Sequence, residues 1–139
     1  MAEQLPTIVE FSEDIATAKQ PDPLPTGEYL GTIRAAQVKR SQRDTKYGEA
    51  MFFISSDQYP ADYKDGNPDG VSLAYRRVSL EDNPMARYQA RRFSESIGSP
   101  MQGRTIDVSR WVGLSAKVTV SHEEYEGTIR AVITKVGAA

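Results

Sequence analysis

The chain has 139 residues, the length of about one domain, and carries 17 Lys and Arg against 19 Asp and Glu for a formal charge of -2. Only 39% of it is hydrophobic, and no apolar run approaches the roughly 20 residues that a membrane-spanning helix needs. Cysteine is absent, which excludes thiol catalysis, disulfides and Cys-ligated zinc or iron–sulfur centres. With no basic-then-apolar leader at the N-terminus, the cytoplasm is the expected compartment.

Charge is distributed unevenly. Residues 1 to 30 hold six acids (Glu3, Glu10, Glu13, Asp14, Asp22, Glu28) against Lys19 alone, whereas the remainder has 16 bases and 13 acids. Pro21, Pro23 and Pro25 forbid a helix in "QPDPLP", so residues 1–25 read as an acidic, Pro-rich arm and residues 26–139 as the folded domain. A pairing of "TIVEFS" with a sheet edge is the alternative for the arm. "GEYLGTIRAAQV" reads as a first strand, long enough to curl if Gly31 or Ala35-Ala36 marks a bulge. "KRSQRDTKYG" follows as a basic loop ending at Gly48, and "EAMFFISS" as a second strand, in which alternation sends Phe52 and Phe53 to opposite faces.

After the turn-rich "DQYPADYKDGNPDG", "VSLAYRRVSL" alternates as a half-buried third strand. Asn83 then provides a helix cap, Pro84 a first helical position and Gly98 a stop. Within that helix Ala86, Ala90, Phe93 and Ile97 form the packing stripe. "WVGLSAKVTVSH" and "TIRAVITKV" read as two further strands joined through "EEYEG". Five strands with a single helix between the third and fourth is the order of the OB-fold, a small Greek-key barrel that binds oligonucleotides on its second and third strands. A small α+β sandwich is the competing architecture.

Catalytic signatures are missing. His122 is the only histidine, no phosphate-binding glycine loop occurs, and the carboxylates at Asp65, Asp69, Glu123, Glu124 and Glu126 sit beside loop glycines. "DGNPDG" starts like a calcium loop, but Arg76 stands where the bidentate Glu belongs. No cofactor and no enzymatic activity are expected.

Basic and aromatic residues, by contrast, are interleaved. An unstacked single strand needs π-faces for its bases and cations for its phosphates. Arg34, Lys39, Arg40, Arg43, Lys46 and Tyr47 supply them around the first loop, Phe53 on the second strand, and Tyr75 and Arg77 on the third. Core packing is the competing role for Tyr75 and for one of the two phenylalanines.

The stretches "LPTGEYLGTIRAAQVKRSQRDTKYGEAMFFI", "RRVSLEDNPMARYQARRFSESIG" and "WVGLSAKVTVSHEEYEGTIRAVITKV" together resemble small phage and prophage single-stranded-DNA-binding proteins over roughly residues 24–136. The resemblance implies an OB-fold that coats single-stranded DNA in replication or recombination, in the host cytoplasm if the chain is phage-encoded. It assigns no individual contact residue. A replication or recombination protein docking on the acidic arm, and a homo-oligomer, are compatible with it. A protein-interaction module on an OB-like barrel is the alternative function, and a metal nuclease ranks third.

Overall fold

The computed structural model describes residues 4–101 and 103–139. Its five strands are β1 (Gly27–Arg40), β2 (Lys46–Ile54), β3 (Val71–Ser79), β4 (Ser115–Tyr125) and β5 (Thr128–Gly137), and its one α-helix is α1 (Pro84–Ile97). All pairings are antiparallel, in the order β3-β2-β1-β4-β5. The sheet curls until its edges β3 and β5 approach each other, and α1 packs across that gap. This is the OB-like arrangement expected from the element order. No described helix is long and apolar enough to cross a membrane.

Three bulges curl the sheet. Each places one extra residue opposite its partner strand: Arg34 in β1, a residue of the Arg76-Arg77 pair in β3, and Thr134 in β5. Bulges sharpen strand twist and re-aim side chains. The first lies between the two positions proposed from sequence, at neither of them. Between the bulges, alternation sends Tyr29, Ile33, Ala50, Phe52, Ile54, Val118 and Val120 inward, where all are buried.

The helix is built as its sequence requires. Asn83 Oδ1 accepts from the Ala86 amide at 2.9 Å, Pro84 opens the first turn, and Gly98 ends it at φ 72°. Ala86, Ala90, Phe93 and Ile97 are buried as anticipated. Phe93 meets Trp111 edge-on with 4.8 Å between ring centroids.

Trp111 departs from expectation. It ends a short 3-10 turn, Val108–Trp111, and β4 begins only at Ser115. The reason is Gly113, whose positive φ of 92° breaks the extended run and whose amide bonds to the Ile33 carbonyl at 2.7 Å. The fully buried indole lies against Gly48, where an added Cβ would stand 2.7 Å from Trp111 Cη2.

The chain joins the core before Thr26. Leu24 is only 3% exposed, its carbonyl accepts from His122 Nε2 at 2.8 Å, and Tyr29 Oη donates to the Pro25 carbonyl at 2.8 Å. Asp65, from the calcium-like stretch, accepts from the Asp22 amide at 2.7 Å. Before Gln20 the described chain is exposed throughout, has a single 3-10 turn at Ile15–Thr17 and pairs with no strand.

Candidate nucleic-acid interface

The outer face of β1, β2 and β3 carries side chains at alternate positions to those of the core. On β2 these are Tyr47, Glu49, Met51 and Phe53, flanked by Lys39 and Gln37 on β1 and by Ala74 and Ser72 on β3. Phe52 is fully buried on the opposite side, so the two phenylalanines divide as alternation requires.

Phe53 has a specific environment. The Arg34 guanidinium carbon lies 3.4 Å from its ring centroid, a cation–π contact made possible by the β1 bulge at that residue. Gly70 abuts the ring's far edge at φ 93°, leaving no room there for a Cβ. The ring is held from one side by backbone and covered on one face by an exposed guanidinium.

Glu49 is the residue that sequence reasoning missed. Although on the outer face, it is only 4% exposed. It accepts from Arg76 Nε at 2.5 Å, Lys39 Nζ at 3.0 Å and Gln37 Nε2 at 3.2 Å. The Arg76 hydrogen bond, helped by those of Lys39 and Gln37, holds its carboxyl below the usual range against the opposing effect of burial. The sign of its sequence setting is visible in retrospect: an acid within "KYGEAMFFI" must meet cations from neighbouring strands or leave the sheet.

The candidate cations and aromatics therefore separate. Arg34, Lys39, Tyr47 and Phe53 share the outer face, but Lys39 is committed to Glu49. The loop after β1 is shorter than expected because β2 starts at Lys46. Ser41 and Thr45 close it through a backbone bond of 2.9 Å and a hydroxyl pair at 2.6 Å. Arg43 is exposed in that turn, and Arg40 meets Asp44 at 3.2 Å with both side chains mostly in water. Lys46 lies on the reverse of the hairpin, lining a cleft of about 910 Å³ with Val38, Leu80 and Arg104.

Besides Lys46, two further assignments do not join this face. Tyr75 points inward: it pairs with the buried Ala50, packs on the core, and stacks on Phe93 with centroids 5.6 Å apart and planes 16° from parallel. Burial pushes its hydroxyl up from the ordinary tyrosine value. Arg77, next to the outward Arg76, lines a cleft beside α1 instead. Alternation without the bulge would have misplaced one of these arginines in any reading of the sequence.

Chemically the outer face offers a planar cation over an aromatic ring, one buried ion cluster and a rim of solvated bases. Among the described residues no group of three or more His, Asp or Glu converges as a metal site. A scan against family models finds no match for this chain, and a search of curated proteins finds none either.

Proposed function

We propose that the chain binds single-stranded DNA without reading its sequence, coating the strand and performing no chemistry on it. The observation that carries this reading is the Arg34–Phe53 contact on the outer face of an OB-like sheet. A single strand exposes the flat faces of its bases, and a guanidinium supplies both a stacking plane and a positive charge. Duplex DNA keeps those faces covered by its own stacking, so a platform of this kind favours the single strand. Around it, Arg43 and Arg40 supply phosphate partners. The exposed Arg40–Asp44 pair contributes little to stability and is readily exchanged for a phosphate contact.

The setting that the sequence resemblance suggests is phage replication or recombination. A second reading, a protein-interaction module, is favoured by one observation. Leu5, Ile8, Val9, Phe11 and Ile15 are all exposed among Glu10, Glu13 and Asp14. In the first reading this same stretch is where a replication or recombination protein docks.

Replacing Arg40 and Arg43 together by Ala tests the DNA reading. Affinity for labelled oligo-dT should fall, and the slope of log affinity against log salt should flatten by about 1.4, near 0.7 per phosphate partner lost. An unchanged affinity and slope would remove the hairpin from the interface.

A further inference from the structure

On the other side of β3, α1 and the Thr134–Val136 end of β5 enclose a cleft of about 480 Å³. Its charged lining consists of Arg77, Arg92 and Lys135, and no carboxylate lines it among the described residues. This contrasts with the outer face, where Glu49 occupies two cations. Arg77 and Lys135 have no ion-pair partner among the described residues, and the nearby Glu95 is engaged by Arg91 at 2.7 Å. Arg92 reaches the Tyr88 hydroxyl at 3.4 Å and lies 5.9 Å from its ring centroid. Tyr88 and Met85 stand exposed at the rim.

We propose that this cleft is a second subsite for the same single strand, taking the nucleotides that leave the outer face over the β3 edge. The inference rests on the reading of function above. The bulge in β3 is what joins the two surfaces. It sets Arg76 on the outer face and Arg77, its neighbour in sequence, in the cleft. A phosphate chain crossing this edge passes from the exposed N–H groups that Arg76 keeps beyond its Nε bond to Glu49 on to Arg77, unpaired among the described residues.

The chemistry of the cleft suits that occupant. Arg77 and Lys135, without ion-pair partners among the described residues and beside low-dielectric walls, focus a positive potential. An exposed tyrosine flanked by an arginine repeats the pairing of ring and guanidinium found at Phe53 and Arg34, and base stacking on such rings tolerates any sequence. Bulges fall on both strands that border the cleft, at Arg76-Arg77 and at Thr134, and bulges turn side chains toward functional surfaces.

The test compares oligo-dT of about 5 and about 15 nucleotides, which bracket most of the range of OB-fold site sizes. Binding is measured on the wild-type chain and on the triple variant Arg77→Gln, Arg92→Gln, Lys135→Gln, with thermal melts confirming that the variant is folded. The long oligonucleotide should lose about tenfold or more in affinity, with a salt slope flatter by about 2, while the short one changes less than about twofold. Tyr88→Ala should weaken the long oligonucleotide about tenfold and spare the short one.

Equal losses for both lengths, or no loss for either, overturn the subsite while leaving the outer-face reading intact. A wild-type chain that binds neither length overturns both. If the triple variant keeps its oligonucleotide affinity but changes its sedimentation, the cleft serves an acidic segment of another copy and the proposal fails.

Discussion

Glu49 decides how much positive charge the outer face presents. Its carboxylate is buried, and it survives there only because Arg76, Lys39 and Gln37 supply hydrogen bonds. Because folding lowers its pKa, the associated stability is present above the carboxylate's unfolded value and is lost as pH falls through the folded one. Glu49→Gln should therefore melt below the wild type at neutral pH, and the gap should close as melts are taken into the acid range below pH ~4. A gap that is constant with pH would mean that the charge of Glu49 is not what stabilises the fold. Tyr75 illustrates what a sequence conveys at this scale. Its flanking arginines fit a nucleic-acid contact, yet its partner Ala50 and its stack on Phe93 make it a core residue, and neither neighbour is legible from "AYRRV".

Among the elements, α1 was the most legible because capping, first-turn proline, apolar stripe and terminal glycine all specify the same helix. The β strands were legible as strands but not at their ends. "KRSQRDTKYG" looks like loop by composition, yet cross-strand pairing extends β1 and β2 into it as far as Arg40 and Lys46. Trp111 precedes an alternating run and reads as its first residue, but Gly113 at φ 92° separates it from the strand, and the indole packs against Phe93 and Gly48. That contact predicts the effect of a single methyl group. Gly48→Ala would drive a Cβ into the indole and should cost about 1–3 kcal/mol, as overpacking does, read as a lower midpoint in urea. An unchanged midpoint would show that Trp111 can move aside.

At the scale of the whole molecule, the order of elements pointed to the OB-like topology but left a small α+β sandwich as a competitor, and the strand pairing β3-β2-β1-β4-β5 decides between them. The bulges were not legible in it, because each depends on which strand lies opposite. The junction of arm and barrel was also hidden: the Pro-rich composition of residues 21–25 signals a spacer, while Leu24 within it fills the core. Removal of residues 1–19 should therefore leave the melting temperature unchanged. Removal of residues 1–25 should cost about 2–3 kcal/mol for the loss of one buried Leu. Equal melts for the two truncations would show that the Leu24 contact contributes nothing.

Preference for an unpaired strand over a duplex is measured directly by competition. A fluorescein-labelled oligo-dT bound to the wild-type chain is titrated by anisotropy with unlabelled oligo-dT and with duplex of the same length, at low and at moderate salt. The single strand should displace the probe at much lower concentration than the duplex, and affinity should fall linearly in log salt. Equal displacement by the duplex, or no binding at low salt, would contradict the proposed function.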